Sequence, residues 1–564
     1  MNFSDYIYIR PDYNKIKINF LNFIQKINES KNLSEQLEII KDINKIRNSI
    51  DTMSNLSHIR HTIDTEDSFY NEEKAYWDDI APLFHELDTL FYKALISHPN
   101  KNQIKDVLGN QFFKLIENSL KSFSSDIIED LQEENKEVSK YVKLLASAKI
   151  LFEGEERNLS GMTPFILSQN RDIRKNAQEA KYSFFKKNES NFDEIFNNLV
   201  IIRDRIAKKL GFNNFIELGY IRMNRIDYSS DMVANFRKQV IEEIVPVATS
   251  LYKKQARRLN LDSLSYYDEK FEFNTGNAIP KGDTNWIIEQ GKQMYHEMSP
   301  ETSEFIDYMI EHNLMDLTTK KGKAGGGYCT FIADYKSPFI FSNFNGTSGD
   351  IDVLTHEAGH AFQVYRSKWI ETPELLWATY ESSEIHSMSM EFFTWDWMKN
   401  FFKEDTEKYF YTHLGGAIKF IPYGSLVDEF QHEIYKNPTL TPNERKTIWR
   451  DLEKLYKPHS DYSENLFLEN GGWWIQQAHI FEVPFYYIDY ALAQVCALQF
   501  WKHMKVNRQE AWTDYINLCN IGGTKSFLDL LKHANLVSPF ENNCIKNILK
   551  PVREYLENIN DKSL

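Results

Sequence analysis

Apolar residues recur at i, i+3, i+4 and i+7 among Lys, Glu, Asn and Gln through most of residues 13–150, the period of helices that each bury one stripe. The pattern predicts a helical assembly for the first part of the chain. Between 151 and 168 the period shortens and Gly154, Gly161 and Pro164 interrupt it, which fits a small strand pair before helix resumes at Arg171. Helical spacing returns over 193–210 and 231–259, the latter ending in Lys253-Lys254 and Arg257-Arg258, expected as a solvated helix face. Residues 318–349 differ from their surroundings. There Gly325-Gly326-Gly327 precedes Tyr328-Cys329-Thr330-Phe331-Ile332, and Pro338-Phe339-Ile340-Phe341-Ser342-Asn343-Phe344 follows; aromatic and β-branched clustering makes both strand candidates. From Asp350 helices dominate to the end, with no repeat or low-complexity tract.

Composition narrows the partners. The 564 residues exceed the size at which one core keeps growing, so two lobes are expected, divided near residue 200 into 1–200 and 201–564. Acidic residues number 81 against 66 basic, a net charge of -15, which disfavours nucleic acid and anionic membrane as partners. Cys329, Cys496, Cys519 and Cys544 stand far apart without a CxxC pair, predicting reduced thiols in a cytoplasm rather than a disulfide framework or thiolate zinc site. The start, Met1-Asn2-Phe3-Ser4-Asp5-Tyr6, lacks the basic and apolar regions of a signal peptide. Asp489 and Gln494 break the most apolar stretch, 483–500, so no membrane span is expected.

The chemistry concentrates in His356-Glu357-Ala358-Gly359-His360, on a predicted helix that Thr347, Ser348 or Asp350 is placed to cap. Histidines four apart on a helix aim their rings the same way, so His356 and His360 are suited to grip one zinc ion, with Glu357 beside them as general base. Chance yields this spacing about 0.03 times in such a chain. The pair His432-Glu433 lacks a second histidine, since Lys436 holds that position, and reads as helix surface. A catalytic zinc takes three protein ligands and keeps one position for water. The HExxHxxGxxH route to a third ligand is closed, because Gln363 and Arg366 stand at the required positions. A carboxylate from the next helical segment, 380–397, is then needed, and spacing leaves Glu381 and Glu384 as equal candidates, with His386 behind them. Asp352, one turn before His356, is a candidate for holding a ligand histidine.

These residues carry a family resemblance. The run Gly325-Gly326-Gly327-Tyr328-Cys329, then Pro338-Phe339-Ile340 and Asn343-Phe344, then the zinc helix through Gln363, resembles the M3 metallopeptidase family of thimet oligopeptidase and oligoendopeptidase F, above all its shorter Pz-peptidase-like members. The likeness extends, less specifically, over roughly the last 400 residues. It implies an elongated, mainly α, two-lobed fold with a deep central channel and a small β-sheet near the active site. Residues 384–391 match the family's Glu-x-x-Ser-x-x-x-Glu pattern, which implies Glu384 as third ligand of a single zinc and Glu391 as the group holding a ligand histidine.

Peptide hydrolysis also needs a donor for the charge that develops on the carbonyl oxygen. Tyr486 and Tyr490 lie one helical turn apart in an aromatic segment that, by itself, reads more readily as core. The resemblance implies that His479, Tyr486 and Tyr490 face the metal, with Tyr487 a competitor for register. Together these expectations describe a zinc endopeptidase of short unfolded peptides. The alternatives are a C-terminal exopeptidase on the same chemistry and a non-catalytic helical peptide-binding protein. Two further features are expected to serve substrate: residues 338–344 as an edge strand that pairs with peptide backbone, and Gly325 to Gly327 as a closing flap.

Overall fold

The structure is a computed structural model in which residues 1–462 and 464–564 are described. It is mainly helical, 71% of it, with two small sheets, as the periodicity predicted. No helix among the described residues is long and apolar enough to cross a membrane, and all four cysteines are free.

Two apolar cores separate the lobes. The smaller gathers Phe20, Ile43, Phe91 and Ile116 from the N-terminal helices and reaches out to Leu375. The larger begins in earnest at Phe123, though Tyr6, Leu56 and Ile59 also enter it. The cores thus part between Ile116 and Phe123, whereas residue 200 falls inside the helix Glu189–Lys209. In the N-terminal lobe, α1 (Leu33–Ile63) and α2 (Ser68–Ser97) start where Asn32 and Asp67 accept hydrogen bonds from backbone N–H groups of the first turn. Arg47 of α1 donates to Asp88 and Tyr92 of α2 and to Glu374 of the larger body, tying the two bodies together.

The predicted strand pair forms as β1 (Ile150–Phe152) and β2 (Glu155–Arg157), antiparallel. Its turn residues Glu153 and Gly154 have φ of 51 and 80°, the positive values a tight two-residue hairpin demands. The second sheet holds β3 (Met315–Thr318), β4 (Tyr328–Ile332) and β5 (Ser337–Phe344) in the order β3-β5-β4. Residues 338–344 are therefore central, not the edge expected from sequence. The physical reason is visible in β5 itself: it is apolar on both faces and buried nearly throughout, and such a strand must be covered on both sides. The edges belong to β3 and β4, and the β4 strand lines the main cavity. Ile340 sends its N–H to the Leu314 carbonyl, so its partner across the ladder, Cys329, sits in a non-hydrogen-bonded pair and points its own N–H and C=O outward. Beyond it, Asn55 of α1 donates to the Phe331 carbonyl at 3.0 Å and closes the edge.

Four helices frame the site: α3 (Gly349–Ser367), α4 (Tyr380–Phe393), α5 (Thr406–Lys436) and α6 (Tyr487–Ile521), the last broken at Asn507. Ser348 occupies the cap of α3 without a side-chain bond. Asp350 instead turns back and accepts from Asn345 and Gly346 N–H at 2.9 and 2.7 Å, fastening β5 to the helix. α4 packs between α3 and α6, its Ser382, Ser387 and Ser389 fully buried. The basic run is only partly solvated: Arg258 is buried against Glu272 and Asp561. His432 is likewise no surface residue, its ring meeting Phe485 edge-on at 4.9 Å.

Candidate active site

α3 presents His356 and His360 one turn apart, and α4 brings Glu384 against them. Glu384 Oε2 lies 3.2 Å from His356 Nε2 and 3.4 Å from His360 Nε2; the three ligand atoms lie within 4.8 Å of one another. That approach depends on Gly359, where a Cβ would meet the His386 carbonyl and Ser387 Cα at 2.6 Å. Glu381 points elsewhere, accepting from Tyr228 and lying 3.9 Å from Arg225 Nε. His386 is buried in the core. Glu391 Oε1 is 2.7 Å from His356 Nδ1. Asp352 bonds Tyr409 at 2.8 Å rather than a ligand histidine.

The donor set suits a small dication. Two imidazole nitrogens and one carboxylate oxygen are the ligand types zinc takes, in the number that leaves a position open. Burial would raise the Glu384 carboxyl, yet His360 and His356 hold it well below the usual range, so the pocket keeps an anion facing inward. Burial opposes charge on His356 too, and the Glu384 and Glu391 carboxylates overcome it. Burial lifts the Glu357 carboxyl, against the pull of His356 and His360, and its Oε2 is buried without a hydrogen-bond partner among the described residues. An orphaned carboxylate oxygen is destabilising unless something else visits it, and the cavity beside it supplies room. That cavity, about 620 Å³, is lined by Tyr328, Thr330, Glu357, Trp377 and Tyr486 among others.

The opposite wall comes from the start of α6. Phe485 adopts φ 70°, a strained value for a bulky residue. Three groups impose it: Arg225 donates to its carbonyl at 2.6 Å, Gln431 accepts from its N–H at 2.8 Å, and Gly219 leaves room for its ring. The sharp turn aims Tyr486, whose hydroxyl donates to Glu384 Oε1. Tyr490 also lines the main cavity, and its hydroxyl is 3.2 Å from His479 Nε2. Tyr487 faces a smaller cavity behind His356. Burial brings His479 down to about 4, leaving it neutral. Tyr423 donates to Gln477 Oε1 and Gln477 donates to His479 Nδ1, which sets the ring to donate from Nε2. The Gly325 to Gly327 turn is exposed and held at its base. Asn343 donates to the Ala324 and Gly326 carbonyls, and Ala324 N–H reaches the Thr62 carbonyl on α1. Arg225, Gln431 and Gln477 were not legible in the sequence, because no spacing links them to the motif.

Comparisons with known proteins follow the same lines. The family model described as Peptidase M3 N-terminal domain matches residues 3–123, and the one described as Peptidase family M3 matches residues 165–548. The chain belongs to peptidase family M3. An Oligoendopeptidase F homolog of Borreliella burgdorferi is 24% identical over 383 residues, 66% of this chain and 63% of the relative. Oligopeptidase PepF of Bacillus subtilis is 21% identical over 397 residues, 68% of this chain and 57% of the relative. The chain thus spans about six-tenths of the length of these curated relatives. A solved structure of Pz peptidase A with an inhibitor covers both chains completely, at 55% identity and a TM-score of 0.99. Oligoendopeptidase-F from Enterococcus faecium, at 15% identity and a TM-score of 0.66 over 98% of each chain, shares the fold. The M3 match contains His356, Glu357, His360, Glu384, His479 and Tyr486, and the family resemblance read from the motifs is borne out.

Proposed function

We propose that this M3 chain is a zinc-dependent endopeptidase of short, unfolded peptides, working in a cytoplasm. The observation that carries the reading is the convergence of His356, His360 and Glu384 within 4.8 Å, beside a buried, unpartnered Glu357 oxygen at the floor of a cavity. His356, His360 and Glu384 would hold one zinc ion. The chemistry zinc supplies when bound is positive charge that acidifies the attacking water and polarises the scissile carbonyl.

The chain's own residues do the rest. Glu357 takes a proton from water as the oxygen bonds the carbonyl carbon, then gives it to the amine nitrogen as the C–N bond breaks. Tyr486, with Tyr490 in reserve, donates to the carbonyl oxygen as charge develops there, and neutral His479 orients Tyr490 or donates to substrate directly. Glu391 holds the far nitrogen of His356. The outward N–H and C=O of Cys329 on β4 offer a main-chain pairing for an extended peptide, which gives affinity without demanding a sequence.

An exopeptidase would need a cation to anchor a terminal carboxylate. Among the described residues lining the main cavity there is no lysine or arginine, and Arg47 in the adjoining cavity is already paired with Asp88 and Glu374. That favours internal cleavage. The test is Glu357→Gln beside the unaltered protein, with metal content and peptide hydrolysis measured on both. Retained zinc with hydrolysis lowered by about 10²–10⁴ is expected. Absence of zinc from the unaltered protein, or full activity in the variant, overturns the reading.

A further inference from the structure

Behind His356 runs a chain of hydrogen bonds that the proton transfers above leave unused. His356 Nδ1 lies 2.7 Å from Glu391 Oε1, His413 Nε2 lies 2.8 Å from Glu391 Oε2, and Trp395 Nε1 donates to His413 Nδ1 at 3.2 Å. Each link admits one direction. An indole N–H only donates, so His413 Nδ1 accepts and carries no proton. The proton of the neutral ring is then on Nε2 and is donated to Glu391. The Glu391 carboxylate accepts on both oxygens, from His413 on one side and from His356 Nδ1–H on the other. With Nδ1–H committed to Glu391, Nε2 is the His356 nitrogen that faces the point shared with His360 and Glu384, and it is the one that would give up its proton to bind a metal.

The surroundings hold this arrangement rigidly. The His413 side chain is 8% exposed, stacked on Tyr409 at 5.4 Å and edge-on to Phe392 at 4.9 Å. Tyr409, one turn earlier on α5, donates to Asp352 of α3. Through these two residues α5 reaches both α3 and α4, the helices that carry the three ligand groups.

We propose that His413, its tautomer set by the Trp395 indole, is a positioning residue for the metal centre: it holds Glu391 and thereby fixes His356 as the Nδ1–H tautomer that presents Nε2 to zinc. The proposal rests on reading the site as a zinc centre. Without the His413 donor, Glu391, which lines the smaller cavity behind His356, is free to rotate, and the His356 ring loses its stop.

The experiment is a zinc-affinity series on the full chain, stripped of metal and titrated against a chromophoric chelator, with thermal melts as the control for folding. His413→Asn, whose amide reaches only the Nδ1 position, is expected to bind zinc about 10–100-fold more weakly. His413→Gln, whose amide N–H falls near the Nε2 position, recovers most of that loss. Trp395→Phe, which frees the tautomer while keeping the donor ring, falls between them. A merely structural role would weaken Asn and Gln variants alike. Zinc binding by His413→Asn within about two-fold of the unaltered protein, or no advantage of Gln over Asn at equal melting temperature, overturns the proposal. If the unaltered protein itself takes up no zinc, the functional reading falls with it; if it binds zinc and the Asn variant matches it, only the role of His413 falls.

Discussion

Gly359 stands where a Cβ would come within 2.6 Å of the His386 carbonyl and of Ser387 Cα. Both are backbone atoms, so α4 itself must move for a side chain to fit, and overpacking of this kind is destabilising by about 1–3 kcal/mol. Gly359→Ala is expected to melt lower and to bind zinc more weakly, because the shift carries Glu384 away from the histidines; thermal melts and a zinc titration read the two effects. Gly327 differs. A Cβ there would lie 3.2 Å from Glu357 Oε1, a side-chain atom that can yield, so Gly327→Ala is expected to retain zinc and stability while kcat falls. Farther out, Glu134 accepts from Arg203 Nε at 2.6 Å and Arg222 Nη1 at 2.9 Å. Burial would raise its carboxyl, but Arg222 and Arg203 bring it from 4.5 down to about 2. Between those values the unfolded chain binds the proton and the folded one does not, so this contribution is complete above 4.5 and is lost as pH falls toward 2. Melts of Glu134→Gln against the unaltered protein are expected to show a gap that is constant above about pH 5 and narrows below it. A gap that widens on acidification contradicts the assignment.

At the scale of elements, the register of the segment entering α6 decides which tyrosine serves the site. The strained Phe485 turn, held by Arg225 and Gln431, rotates Tyr486 toward Glu384 and Tyr487 toward the rear cavity. Tyr486→Phe is expected to lower kcat by about 10²–10³, as loss of an oxyanion donor does, with little change in KM. Tyr487→Phe is expected to leave kcat nearly unchanged. Steady-state kinetics on one peptide compares them, and equal losses would remove the distinction. The segment was visible in the sequence as a row of aromatics, but a helix that is aromatic around much of its circumference does not say which face meets a partner. The strand itself was read correctly, but the edge position was not, for a related reason: Phe339, Ile340 and Phe341 announce burial, and burial on both faces means the centre of a sheet, leaving the edges to β3 and β4.

Across the whole molecule, both bodies lend residues to the cavity beside His356, His360 and Glu384, Gln111 and Leu115 from the N-terminal helices and Thr330 and Tyr486 from the larger body. The N-terminal lobe also lines an adjoining cavity through Arg47, Asp51, Trp77 and Asp88, a wall that under the proposed function would suit a flexible, extended peptide. Peptides blocked at both ends are expected to be cut internally, and a stably folded protein is expected to be cut only after unfolding. Mass-spectrometric mapping of products distinguishes these outcomes, and resistance of blocked peptides would instead favour an exopeptidase.

What the sequence determined by itself was local in kind: helical periodicity, the spacing of candidate ligands on one helix, and the breakers between elements. A turn of helix places His356, Glu357 and His360 together whatever surrounds them. Tertiary structure decided what spacing along the chain leaves open, bringing Glu384 rather than Glu381 against His356 and His360 by the packing of α4 on α3 and turning Asp352 toward Tyr409. It also gathered His413, Arg225 and Gln477 from distant helices. Their roles depend on which faces meet, and that is settled by how the whole core packs rather than by any one segment.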